Sequence, residues 1–165
     1  MPIILARVDD RMIHGQVTVG WSQQLQPDRI VLANNEIAAD PWQSRVYASS
    51  VPPEIRVSIF SIAETVSQLS KEAMYNQRVI LLTASPGEMA ELARLGAALA
   101  EVNIGGLHFS VGKKEMLPFV YVDRQDLTAM GRLLDQGIEL FAQQVPGGKS
   151  MGLDKSGLEA MAEKL

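Results

Sequence analysis

Short apolar runs recur along the chain, separated by longer stretches whose apolar residues repeat at helical spacing. The first run, Ile3-Ile4-Leu5-Ala6-Arg7-Val8, is nearly continuous and rich in β-branched residues, which predicts a buried strand of a parallel sheet. Val17, Trp21 and Leu25 then fall on one helical face, so residues 16–25 are predicted as a helix. Residues 29–33 read as a second strand, and Asp40-Pro41 opens a helix with Asp40 at the N-cap and Pro41 at the first position. Residues 55–60 form a third predicted strand, followed by a capping box of Ser61 and Glu64. Residues 78–83 are the fourth, Ser85-Pro86-Gly87-Glu88 repeats the capping signal, and Gly96 stands where that helix should end. Residues 101–104 and 119–122 read as the fifth and sixth strands. Asp123 caps the next helix and Gly137 closes it, before a last strand at 138–141. Gly147-Gly148-Lys149-Ser150 predicts a flexible link to a short amphipathic helix over residues 154–165.

Strands separated by helices of this length need crossover connections. The expected fold is α/β: an open, mainly parallel twisted sheet with helices on both faces. In such sheets the ligand site lies outside the carboxyl ends of the strands. That rule gathers residues 9–16, Asn34-Asn35-Glu36, Thr83-Ala84-Ser85 and residues 103–108.

Composition narrows the classes. A chain of 165 residues fits one domain, and without cysteine it has neither disulfides nor a cysteine-based zinc site. A net charge of −4 argues against nucleic acid as a partner. No apolar run approaches the ~18 residues of a membrane span. Met1-Pro2 leads straight into a core strand without a signal-peptide pattern, so a cytoplasmic location is expected.

The chemistry concentrates in the loop after the first strand. Arg7-Val8-Asp9-Asp10-Arg11-Met12-Ile13-His14-Gly15-Gln16 sets a histidine among arginines at the start of a helix, where free N–H groups and the helix dipole favour an anion. A neutral imidazole there has a lone pair for attack on phosphorus, and arginine forks suit the oxygens of a phosphoryl group. Either Asp9 or Asp10 can orient the other ring nitrogen, although aspartate is equally common as a loop cap. His108 follows Gly105-Gly106, whose bare backbone allows close approach to a ligand; a plain turn residue is the slightly preferred reading. A metal site from two histidines lacks ligand spacing, and Gly105-Gly106 lacks the rest of a nucleotide-binding motif. Val8-Asp9-Asp10 and Leu81-Leu82-Thr83-Ala84 resemble receiver domains of response regulators. That reading fails, because the third strand ends in Ile59-Phe60-Ser61 without a phosphorylatable aspartate and no lysine follows the fifth.

Arg-Val-Asp-Asp-Arg-Met-Ile-His-Gly-Gln-Val, residues 7–17, closely resembles the signature of the IIB components of the mannose/fructose/sorbose type of the bacterial phosphoenolpyruvate-dependent sugar phosphotransferase system. Residues 34–40, 79–82, 102–109, 112–113, 120–126 and 137–140 continue the resemblance over nearly the whole length; Met12 replaces the usual leucine. The resemblance implies a single IIB domain over residues 1–165. It implies that His14 takes a phosphoryl group, at Nδ1, from a phosphohistidine of a IIA protein on a separate polypeptide. His14 would then pass it to the 6-hydroxyl of a hexose or amino sugar brought by the membrane components IIC and IID. The activity would be that of a protein-Nπ-phosphohistidine–sugar phosphotransferase, peripherally associated with that membrane complex. Arg7, Arg11 and Gly15 are the expected phosphoryl-binding residues. Asp9, Asp10, Thr83, Asn103 and Gly105 are expected to support them, with no cofactor or metal. Residues 108–110 and 112–114 look somewhat like N-acetylgalactosamine-type members. A non-catalytic regulatory or nucleotide-binding module on the same sheet is the alternative.

Overall fold

A computed structural model describes residues 2–165. Seven strands form one sheet: β1 (Ile3–Asp9), β2 (Arg29–Ala33), β3 (Arg56–Phe60), β4 (Val79–Thr83), β5 (Glu101–Gly106), β8 (Glu139–Ala142) and β9 (Met151–Leu153). Their spatial order is β3-β2-β4-β1-β5-β8-β9. All neighbours are parallel except the β8–β9 edge pair. This spatial order places β1 at the centre between β4 and β5, so the loop leaving β1 emerges at the middle of the carboxyl edge.

Alternation along the strands separates two buried faces. Ala6, Val8, Val31, Leu81, Val102 and Ile104 point to one side and pack with Met89 and Leu92 of α6 (Pro86–Arg94) and Met130 and Leu133 of α7 (Arg124–Asp135). Leu5, Ile30, Leu32, Ile80 and Leu82 point to the other, against Ile13, Val17 and Trp21. The helix expected over residues 16–25 is present, but it starts as a wide π-helical stretch, Gln16–Trp21, before continuing as α1 (Ser22–Leu25). Such widened turns are frequent at functional sites.

The caps follow the sequence. Asp40 accepts from Trp42 and Gln43 at the start of α3 (Pro41–Ser49), and Ser61 accepts from Glu64 at the start of α4 (Ile62–Leu69). The reciprocal box closes at α7, where Asp123 and Asp126 bond each other's backbone N–H. After α7 the chain turns through Gly137 at φ +78°, a conformation costly for any side chain, and Ile138 N–H bonds back to Leu133 O at 3.1 Å.

Four short elements escape the sequence pattern. The helical turns α2 (Asn35–Ala38) and α5 (Glu72–Tyr75) are too short to show periodicity. The predicted sixth strand lies outside the main sheet: β7 (Val120–Val122) pairs antiparallel with β6 (Lys114–Leu117). Lys114-Glu115-Met116-Leu117 has helix-forming composition, which the hairpin pairing overrides. The expected flexible link instead runs into β9, three largely exposed residues whose backbone completes the sheet edge. The last helix, α8 (Lys155–Ala162), is where the sequence predicts it. No helix among the described residues is long and apolar enough to cross a membrane.

Candidate active site

The strand period puts Arg7 and Asp9 on the same face of β1, under the helix that contains Trp21. Neither side chain is exposed at all. Asn103 stands opposite Arg7 in the parallel register with β5. One terminal nitrogen of Arg7, Nη1, donates to Asn103 Oδ1 at 2.7 Å and to the carbonyl of Gln143 at 3.1 Å. The other, Nη2, donates to Asp9 Oδ2 at 2.9 Å and to the carbonyl of Gln144 at 3.0 Å. The Trp21 ring centroid lies 5.5 Å from Arg7 Cζ, and the indole N–H reaches the same Gln144 carbonyl at 3.3 Å. Gly105 makes room for this: a Cβ there would sit 2.0 Å from Arg7 Cζ. Burial lowers the Arg7 pKa from its ordinary value, and the Asp9 charge opposes that fall.

Asp9 joins this buried network to the loop. Its Oδ2 also meets His14 Nε2 at 2.8 Å, and its Oδ1 accepts the Arg11 backbone N–H at 3.0 Å. Burial pushes the Asp9 carboxyl up, but the His14 hydrogen bond, the Arg7 charge and the Arg11 N–H outweigh it and hold its pKa below the usual aspartate range. The chain turns back at Met12, whose N–H bonds Asp9 O at 2.9 Å and whose φ of +63° is left-handed. His14 follows and its carbonyl takes the N–H groups of Val17 and Thr18, so the ring is held at the start of the helix.

With a carboxylate at Nε2, that nitrogen carries the proton, and the Nδ1 lone pair faces the Gln16 N–H at 3.4 Å. The His14 side chain is 16% exposed, open enough for a reacting group. Arg11 is far more exposed and is steered by Gln16, whose Oε1 accepts from Arg11 Nη2 at 2.7 Å. A Cβ added at Gly15 would meet nothing within 4 Å beyond its chain neighbours, so no packing requires a glycine there.

The expected site residues therefore divide. His14, Asp9 and Arg11 come together as one unit. Arg7 does not face the opening: both its terminal nitrogens are bonded inside the protein, and its place is beneath Asp9 rather than in contact with an incoming group. Asn103 and Gly105 support Arg7. Asp10 turns the other way and binds His108 through its backbone N–H and ring, at 2.6 and 2.5 Å. Thr83 is buried and bonds the Ser85 carbonyl, which ties it to the β4–α6 turn. Sequence reasoning missed Gln16, Trp21 and the carbonyls of Gln143 and Gln144. Gln16 had a usable signal, its place two residues beyond the histidine in the first helical turn. The carbonyls had none, because backbone groups carry no side-chain signature.

Helices on both faces of a mainly parallel sheet, with a histidine and a carboxylate at the carboxyl end of its central strand, place the chain among the doubly wound α/β proteins with a site at that edge. Residues 3–164 match the family described as "PTS system sorbose subfamily IIB component". The sorbose-specific EIIB component of Lacticaseibacillus casei is 34% identical over 140 residues, 85% of each chain. N-acetylgalactosamine-specific phosphotransferase enzyme IIB component 1 of Escherichia coli K12 is 34% identical over 146 residues, 88% of this chain and 92% of that one. The crystal structure of the IIBSor domain of the sorbose permease from Klebsiella pneumoniae superposes with a TM-score of 0.89 at 30% identity, over 100% of this chain and 99% of that one. The chain belongs to the sorbose-type IIB family of the sugar phosphotransferase system, and it is a transferase with a phosphoryl-transfer role in sugar uptake.

Proposed function

We propose that His14 carries the phosphoryl group, on Nδ1, between a phosphohistidine of a IIA protein and the 6-hydroxyl of a hexose or amino sugar. The observation that carries this reading is the pairing of Nε2 with Asp9, which leaves Nδ1 as the nucleophilic nitrogen at the start of a helix. In the first transfer the Nδ1 lone pair attacks phosphorus in line, and the donor P–N bond breaks with its electrons returning to the donor imidazole. In the second the sugar hydroxyl oxygen attacks, its proton passes to solvent, and a phosphate ester forms while the P–N bond to His14 breaks with its electrons returning to Nδ1. Asp9 keeps the Nε2 proton in place throughout and offsets the positive charge of the phosphorylated ring. Arg11 swings from Gln16 to the phosphoryl oxygens, and the Gln16 N–H turns to the same oxygens.

Arg7 acts from below, fixing the Asp9 carboxylate rather than touching phosphorus. Residues 1–165 work as a single domain that meets IIA and, at the membrane, the IIC and IID components. The names of the relatives point to sorbose, N-acetylgalactosamine or mannose as the substrate class. The test is labelling from phosphoenolpyruvate through enzyme I, the histidine carrier protein and a IIA protein. One acid-labile, base-stable phosphoryl group per chain is expected. His14→Ala should take none while keeping its circular dichroism spectrum, since a loop residue adds little packing. Full labelling of that variant would overturn the assignment.

A further inference from the structure

We propose that His108 is a positioning residue for the phosphoryl-transfer loop: it clamps Asp10 and thereby holds Asp9 and His14 in register. The inference rests on His14 being the carrier and goes beyond it, since His108 acts from another loop. The clamp is bidentate. The His108 backbone N–H donates to Asp10 Oδ2 at 2.6 Å and the ring Nδ1 meets Asp10 Oδ1 at 2.5 Å, joining residues 98 positions apart. Both oxygens of Asp10 are thus used on one residue, and the Asp10 N–H is bonded to Gly106 O at 3.0 Å.

The two sides of the clamp differ in firmness. On the His108 side, Leu107 is buried, donates to Phe119 O at 3.0 Å and accepts from Tyr121 N–H at 2.8 Å. The neighbouring Phe109 ring packs edge-on against Tyr121 at 5.8 Å. On the loop side, Met12 holds a left-handed backbone that a non-glycine residue adopts only under outside constraint. A strained turn of this kind needs fixed points at both ends. The helix start fixes its far end; the ladder bond from Asp10 N–H to Gly106 O and the Asp10–His108 pair fix its near end. Arg7 holds the Asp9 carboxylate from below, so a drift of Asp10 acts on the turn that follows it, shifting the Arg11 and Met12 N–H groups that reach Asp9 and the His14 ring beyond them, and small misplacements of a reacting group cost rate steeply.

Two readouts test this, one independent of phosphoryl chemistry. The first is quench-flow transfer from phosphorylated IIA at varied IIA concentration. The second is amide hydrogen exchange of Arg11 and Met12, whose N–H groups bond Asp9. His108→Ala should still reach one label per chain, with the saturated transfer rate lowered roughly ten- to a hundredfold and KM little changed. Its Arg11 and Met12 amides should exchange faster. His108→Asn should recover most of both, because the side-chain amide N–H can stand in for the ring Nδ1–H. Wild-type rate and exchange in His108→Ala would overturn the proposal. So would a loss confined to KM that asparagine does not rescue, which marks a partner contact instead. If wild-type protein takes no label while exchange responds as described, the carrier assignment fails and the clamp stands.

Discussion

On the face covered by α6 and α7, Val8, Val31, Leu81 and Ile104 meet Met89, Leu92, Met130 and Leu133, all fully buried and all apolar. On the opposite face the same strands supply Leu5, Ile30 and Ile80, but toward the carboxyl edge the pattern changes to Arg7, Asp9 and Asn103, equally buried. The first face is held by contacts that are many, individually weak and without direction. The second ends in a network where every polar group but Arg7 Nε has a named partner: Arg7 has four acceptors, Asp9 three donors. Only one buried side-chain atom among the described residues, Arg7 Nε, lacks a partner, and it belongs to that network. An apolar surface could hold β1 in the sheet as well. It could not fix the angle of an imidazole. Hydrogen bonds can, and a buried network moves little because every displacement breaks several at once.

The two faces should therefore fail differently. The largest effect is expected from Gly105→Ala, whose Cβ would fall 2.0 Å from Arg7 Cζ and 2.1 Å from Nη1. The guanidinium is enclosed and cannot step aside without breaking its bonds, so a loss of about 3–5 kcal/mol is expected, as when a buried ion pair is disrupted. Denaturant melts give the value. Any folded fraction should also transfer phosphoryl groups slowly, because Asp9 loses its support. Leu81→Ala on the other face leaves a cavity worth about 3 kcal/mol, within the range for such truncations. Its folded fraction should transfer at the wild-type rate. Equal transfer rates in the two variants would erase the distinction between the faces.

The difference between the faces also decides what could be read from sequence. Apolar runs and caps identified the strands of the parallel sheet and most of the longer helices, because burial and capping leave marks at fixed spacing. His14, Asp9 and Arg11 were legible because they crowd one loop behind a central strand. The orientation of Arg7 was not. Alternation assigns it to the face of Asp9, but which face closes over it depends on Trp21 and on Gly105, 98 residues away. The split of Asp9 to His14 and Asp10 to His108 was equally hidden, since adjacent aspartates differ only in which side of the turn they face. β6 and β9 were missed because three or four residues are too few for a period and their composition does not favour strands.

A smaller effect is expected at the exposed rim of the ionic network. Arg11→Lys keeps the charge and loses the fork, so transfer from phosphorylated IIA should slow roughly ten- to a hundredfold, the scale of losing one oriented donor. Melting should be nearly unchanged, because the side chain is 40% exposed and surface pairs contribute about 0–1 kcal/mol. Arg11→Ala should be slower still. Quench-flow at saturating IIA separates this from weaker docking. A wild-type rate in Arg11→Ala would confine the network's role to its buried part.

The smallest effect contrasts two sheltered carboxylates. Asp9 is surrounded by cations and donors, so its pKa is lowered; its contribution to stability is present above the ordinary aspartate value near ~3.9 and is lost as pH falls through the lower folded value. Glu88, in the first turn of α6, shares the desolvation but not the company. Burial raises its carboxyl pKa against the hydrogen bonds of Ser85 and nearby backbone N–H groups, and the Glu36 charge adds to the rise. Its sign is therefore reversed. The stability it supplies is complete below the ordinary glutamate value near ~4.3 and is lost as pH climbs through the raised folded value. Glutamine at this position stays neutral and keeps a carbonyl for the Ser85 hydroxyl, now 3.2 Å from Glu88 Oε1. Glu88→Gln should thus gain stability relative to wild type as pH rises from the ordinary glutamate value near ~4.3 through the raised folded value. Melts of both proteins across that range give the difference. Parallel curves would mean that Glu88 finds enough solvent to ionise freely, and the contrast with Asp9 would then rest on Asp9 alone.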